Sequence, residues 1–326
     1  VSTTGVQPSD PWPQAASDVP AAENVRFGQL PNGLRYAIMK NASPPGQASI
    51  RVRIDAGSLM EREDQLGLAH FMEHMAFNGS TEVPEGDLTK RLERLGLAFG
   101  ADTNASTGFD QTIYQLDLPR TDDATVDESL FILRQMLGEA LLETAAIDRE
   151  RGIVLSEERT RASPGLRALV AQLEFLMPGQ LVPRRLPIGS TSVLANAPRE
   201  RFVEFYEAYY RPERATVVVV GDFDVDEMEA KVVSTFGDWT NSHAGGAEPV
   251  IGEVRPRARE AGLYVEAGLT PSIQIAWTGA PDERADTQAL RRENVVRGLG
   301  LAVLNRRLGV IGRGANRSEE HTSELQ

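Results

Sequence analysis

Gly67-Leu68-Ala69-His70-Phe71-Met72-Glu73-His74-Met75-Ala76-Phe77-Asn78-Gly79 has the pattern of a short helix. Helix formers fill its interior, Asp64 is positioned as an N-cap, and Asn78-Gly79 supplies a left-handed stop. At 100° per residue His70 and His74 lie about 40° apart around the axis, and Glu73 lies about 60° to the other side of His70, so all three share one face. A lone histidine on a helix is ordinarily packed or solvated, but here two of the chain's four histidines stand at i, i+4 with Glu at i+3. Two imidazoles one turn apart can converge on Zn²⁺, and a carboxylate beside them can reach a metal-bound water without being a ligand.

Composition narrows the chemistry. The chain has 326 residues, 41% of them apolar and 25% charged, which describes a globular protein long enough for two domains. No run approaches eighteen apolar residues, so no membrane-spanning helix is expected. The net charge of −13 disfavours nucleic acid and anionic membranes as partners. Cysteine is absent, which removes disulfides, thiolate zinc sites and thiol nucleophiles, and leaves His, Asp and Glu as metal ligands. Together with the leader described next, that absence fits a periplasmic or secreted protein.

The ends differ from the middle. Residues 1–24 are rich in Pro, Ala, Ser and Asp without periodicity, as expected of a flexible leader behind a removed signal peptide. Residues 317–326, Arg-Ser-Glu-Glu-His-Thr-Ser-Glu-Leu-Gln, look like an in-frame translation of a DNA-sequencing adapter, so His321 is set aside and the native sequence is expected to read to about Asn316.

Between the ends, Asn32-Gly33 predicts a hairpin joining Val25–Gly28 to Leu34–Met39, with Gln47–Ala56 as the next strand to pair. After the motif come a helix over Pro84–Leu97, a second hairpin of Phe99–Thr107 and Gln111–Leu118, and helices over Ala124–Leu142 and Ala145–Arg161. Helical segments at Leu166–Leu176, Pro198–Tyr210 and Asp224–Phe236 flank a buried strand, Thr216–Asp222. Gly221-Asp222 is followed by no Gly-rich loop with Lys, so nucleotide binding is set aside. Residues 241–258 form a linker, and a new unit over 259–316 is expected to hold strands at Gly262–Glu266 and Ser272–Trp277 and a helix from Thr287 to about Arg307.

A catalytic zinc site built on two histidines needs a third protein ligand. Glu150 and Glu157 are seven residues apart on the Ala145–Arg161 helix, within about 20° of one another, and with no Cys and His243 in an exposed Ser-His-Ala-Gly-Gly loop, a carboxylate is the expected ligand.

His70-Phe71-Met72-Glu73-His74, Glu150–Glu158, Leu186-Pro187-Ile188-Gly189, and the block from Tyr210-Arg211-Pro212 to Gly221-Asp222 together resemble the pitrilysin/insulinase family of zinc peptidases, whose signature is an inverted H-x-x-E-H. The resemblance covers most of residues 25–310. It implies an α+β fold, an antiparallel-rich sheet covered by helices and repeated as two similar domains, here with 25–240 as the catalytic domain and an incomplete second domain from 259. It implies one Zn²⁺ per catalytic domain on His70, His74 and Glu157, with Glu73 as general base and Glu150 supporting the site. The 82 residues between His74 and Glu157 slightly exceed the family norm, implying a short insertion. Gly100–Thr107 resembles the edge strand beside the zinc, where Asn104 and Ala105 would hold a peptide by β-augmentation. The remaining half of such an enzyme, or a partner chain, would close the chamber. Hydrolysis of peptides or unfolded proteins is the implied activity. A catalytically inactive, peptide-binding subunit is the alternative, although the intact motif argues against it. S-ribosylhomocysteine lyase shares the motif but needs a cysteine this chain lacks.

Overall fold

The computed structural model describes residues 12–312 apart from Phe99 and Pro256. The first eleven residues of the expected leader, Phe99 and the expected adapter-like tail with His321 lie outside the described residues. In chain order the strands are β1 (Val25–Gln29), β2 (Arg35–Lys40), β3 (Ala48–Ile54), β4 (Thr103–Thr107), β5 (Thr112–Leu118) and β6 (Ala215–Gly221). The helices are α1 (Leu68–Met75), α2 (Asp87–Arg94), α3 (Asp123–Gly138), α4 (Thr144–Arg161), α5 (Pro164–Leu176), α6 (Thr191–Asn196), α7 (Arg199–Tyr209), α8 (Val225–Phe236) and α9 (Gln288–Gly312).

The strands form one sheet in the order β1-β2-β6-β3-β5-β4, with β2 and β6 parallel and every other pair antiparallel. The first hairpin forms as its turn residues predict, with Asn32 Oδ1 accepting from Leu34 N and Gly33 at φ +92°, and β4 and β5 pair as the second. The expectation that β3 pairs with the first hairpin is corrected: β6 lies between β2 and β3. The reason is burial. The run Val217-Val218-Val219-Val220 needs neighbours on both sides, and Val52 faces Val217 on one flank and Tyr114 on the other.

Burial alternates along β3, β5 and β6, so one face of the sheet is covered and the other half-exposed. Ile50, Val52, Ile54, Tyr114, Leu116, Val217 and Val219 point into a core completed by Phe71 and Met72 of α1, Leu130 and Leu133 of α3, and Phe202 and Phe205 of α7. The result is an α+β fold with a helix-covered, antiparallel-rich sheet.

The described residues divide into two compact units: the larger is Glu23–Ala280, and the smaller joins 12–22 with 281–312. In the smaller unit Asp18 Oδ1 accepts from Gln288 N at 2.7 Å, at the start of α9. The strands expected at Gly262–Glu266 and Ser272–Trp277 are not formed. Leu263 and Ile273 are each 91% exposed, and an alternating stretch without a partner ladder is not stable as a strand.

Candidate metal centre

The motif helix begins differently from its expectation. Asp64 is not the N-cap; it lies in a 3₁₀ turn, Glu63–Gln65, and pairs with Arg62 and Arg201. Gly67 is the N-cap, at φ +96°, and the buried Glu61 carboxylate accepts from Gly67 N at 2.9 Å and Ala69 N at 2.8 Å. Burial pushes the Glu61 carboxyl up to about 8, against the pull of those two amides and of Arg185. Sequence spacing hides this cap, because the carboxylate reaches forward six and eight residues instead of the two or three of an ordinary N-cap.

Gly67 also lets a second segment touch the helix. A Cβ on Gly189, itself at φ +76°, would sit 2.2 Å from Gly67 Cα and 2.6 Å from Gly67 N. Gly189→Ala is therefore expected to destabilise the protein by about 3 kcal/mol, through backbone overlap and left-handed strain together. Urea unfolding at unchanged slope checks this; a midpoint equal to the parent's would mean that the two backbones do not meet so closely.

Helix α1 ends as its sequence predicts: Asn78 N donates to Met75 O, and Gly79 takes φ +102°. Asn78 then does more than stop the helix, since its Nδ2 donates to His74 O at 3.0 Å and to Glu150 Oε2 at 3.3 Å.

The structure brings His70, His74 and Glu157 together, each offering a ligand atom within 4.8 Å of the others. Glu157 Oε2 lies 3.5 Å from His70 Nε2, and Glu157 Oε1 lies 3.8 Å from His74 Nε2. Donors each 2.0–2.2 Å from a tetrahedral ion are about 3.4 Å apart, so this set suits Zn²⁺. His70 Nδ1 is buried without a hydrogen-bond partner among the described residues, whereas His74 Nδ1 is 2.8 Å from Glu150 Oε1. That contact makes Nδ1 the protonated nitrogen of His74 and leaves Nε2 as the donor. Glu150 and Glu157, two turns apart on α4, thus meet opposite sides of the same imidazole.

Arg151 helps set the spacing of the two helices. Its guanidinium carbon lies 5.9 Å from the centroid of Phe71 of α1, and its nitrogens donate to Leu194 O and, at 2.9 Å, to Ala197 O.

The electrostatics of the cluster follow from burial and charge. Burial, then the His74 and Arg161 charges, lowers His70 to about 4, so it is the neutral, metal-binding form at neutral pH. Burial also opposes charge on His74, but the Glu150 hydrogen bond and the nearby carboxylates outweigh it and raise its pKa. The bond from His74 holds Glu150 below the usual carboxylate range. Burial raises Glu73, partly offset by Thr107 Oγ1, which donates to Glu73 Oε2 at 2.5 Å. A carboxylate moved upward in this way is better matched to proton transfer near neutrality.

Asn104 and Ala105 lie on β4, which ends the sheet order and, among the described residues, pairs with β5 alone. Asn104 is exposed and Ala105 half-buried, and α1 packs beside this strand. Sequence reasoning missed Thr107 as a partner of Glu73, since the pairing crosses from strand to helix and leaves no local pattern. His243 is exposed and stands 3.2 Å from Glu207, away from the cluster's ligand set.

Two histidines and a glutamate, brought together from two helices under this sheet, make a ligand set that could hold a metal ion on an inverted H-x-x-E-H motif. Residues 36–171 match the family profile described as "Insulinase (Peptidase family M16)" and residues 196–313 that of the "Peptidase M16 inactive domain"; the chain belongs to the insulinase (M16) peptidase family. It is 36% identical over 212 residues to the probable zinc protease PqqL of Haemophilus influenzae, covering 65% of this chain and 23% of that protein. The crystal structure of the first half of the periplasmic protease PqqL from Escherichia coli superposes with a TM-score of 0.68 at 34% identity, over 71% of this chain and 49% of that one. The ferredoxin protease FusC, solved in complex with Arabidopsis ferredoxin, is 26% identical with a TM-score of 0.67, over 72% of this chain and 26% of that one. The chain spans about a quarter of the length of the first of these relatives.

Proposed function

We propose that the protein is a zinc-dependent endopeptidase acting on peptides or unfolded proteins, with zinc held by His70, His74 and Glu157. The observation that carries this reading is the convergence of His70 Nε2, His74 Nε2 and Glu157 on one point beside Glu73. Zinc bound there supplies Lewis acidity, polarising the scissile carbonyl and making water a competent nucleophile at neutral pH. Glu73 takes the proton of the attacking water and delivers it to the leaving amine, while Glu150 and Asn78 hold His74 with its Nε2 forward. The free edge of β4 at Asn104 and Ala105 takes the substrate as an added strand. Residues 25–240 form the catalytic domain, and the rest of the full-length protein or a partner chain closes the chamber. A periplasmic location is proposed from the likeness to periplasmic PqqL; among the described residues no helix is long and apolar enough to cross a membrane.

Zinc analysis and cleavage of an internally quenched peptide by the full-length protein test the reading together. One zinc per chain is expected, with cleavage lost on chelation and restored by added Zn²⁺. Stoichiometric zinc with no cleavage of any unfolded peptide would favour the peptide-binding alternative.

A further inference from the structure

We infer that Thr107 is a positioning residue for Glu73: its hydroxyl fixes Oε2 of the carboxylate and so reserves Oε1 for proton transfer. The inference rests on Glu73 being the base, and it deepens that assignment by naming what aims it. Thr107 Oγ1 donates to Glu73 Oε2 at 2.5 Å across the gap between β4 and α1.

What makes this contact a positioning device is the rigidity behind it. Thr107 is the last residue of β4, paired in register with Thr112 of β5. The turn beyond it closes through Gly108 N to Gln111 O at 2.8 Å. That turn is tied to the segment leading into α1: Ser58 N donates to Gly108 O, Leu59 N to Phe109 O at 2.8 Å, and Thr112 Oγ1 to Ala56 O at 3.0 Å. The approach is close enough that a Cβ on Gly57 would lie 2.4 Å from Gly108 O. Thr107 is therefore carried on a backbone fixed to the same segment from which α1 springs, and its β-branch leaves χ1 little freedom.

Glu73, by contrast, is a long side chain under opposing pulls. His74 and Arg161 attract its charge and Glu157 repels it. Without the Thr107 hydroxyl the carboxylate is free to turn toward His74 and Arg161 and away from Glu157. A displacement of about 1 Å at a reacting group can cost about a hundredfold in rate, because proton transfer needs hydrogen-bond reach.

The test compares Thr107→Val, which keeps the shape and removes the hydroxyl, with Thr107→Ser, which restores it. Glu73→Gln serves as reference, all in the full-length protein with a quenched peptide. Thr107→Val is expected to lower kcat by about 10- to 100-fold with KM, zinc content and melting temperature unchanged, and Thr107→Ser to recover most of the turnover. Turnover abolished by Glu73→Gln but kept by Thr107→Val would overturn this inference alone; turnover surviving Glu73→Gln would overturn the base assignment and the inference with it. A fall in Thr107→Ser equal to that in Thr107→Val, or a change in KM or zinc content in place of kcat, would also overturn it.

Discussion

Glu73→Gln in the full-length protein is expected to lower kcat for peptide hydrolysis by at least about a hundredfold, and up to about ten-thousandfold, while one zinc per chain remains bound. The substitution is isosteric, and its amide oxygen can still accept from Thr107 Oγ1, so the helix and its neighbours have no reason to move. What it removes is the basic oxygen. Burial holds the Glu73 carboxyl above its ordinary value without a charge partner strong enough to pull it back, as befits a group that accepts a proton and gives it up again. Glu73 is not in the set of converging ligand atoms, and that is why zinc content separates its role from theirs. Wild-type turnover in the variant would remove it from the mechanism.

The second large effect distinguishes the two carboxylates of α4. Glu157→Gln is expected to weaken zinc binding by more than the roughly 10–100-fold typical of losing a group behind a ligand, and Glu150→Gln to weaken it within that range. Glu157 faces the Nε2 atoms of both histidines, so its amide variant takes a charged donor out of the ligand set. Glu150 meets the far nitrogen of His74 and accepts from Asn78, and a Gln there can still accept the His74 Nδ1 proton. Competition with a chromophoric chelator measures both affinities. Equal losses, or a larger loss at Glu150, would mean that α4 presents its carboxylates in the opposite order.

These two cases show what a sequence can and cannot carry. The shared face of His70, Glu73 and His74 was legible because helical periodicity is local, and the first hairpin was legible because Asn-Gly turn chemistry is local too. Spacing alone did not choose between Glu150 and Glu157, and the resemblance supplied that assignment: both lie on one face of α4, and separating them physically needs the distance to the other helix, which Arg151 over Phe71 helps set. The insertion of β6 between β2 and β3 was hidden for the same reason, since strand order is decided by which apolar run needs two neighbours. Glu61 capping α1 and Thr107 holding Glu73 are contacts between segments whose spacing follows no motif. Strands drawn from alternation alone at 262–266 and 272–277 did not form, because alternation describes a face and not the partner that must cover it.

The central claim is that His70, His74 and Glu157 hold one zinc ion. Anomalous diffraction at the zinc edge, on crystals of the zinc-loaded full-length protein, tests it most directly. A single peak in this domain is predicted, about 2.0–2.2 Å from His70 Nε2, His74 Nε2 and a Glu157 oxygen, with Glu73 outside ligand distance. A peak held by Glu150 in place of Glu157, a peak away from the two histidines, or no peak at full zinc loading would contradict the account.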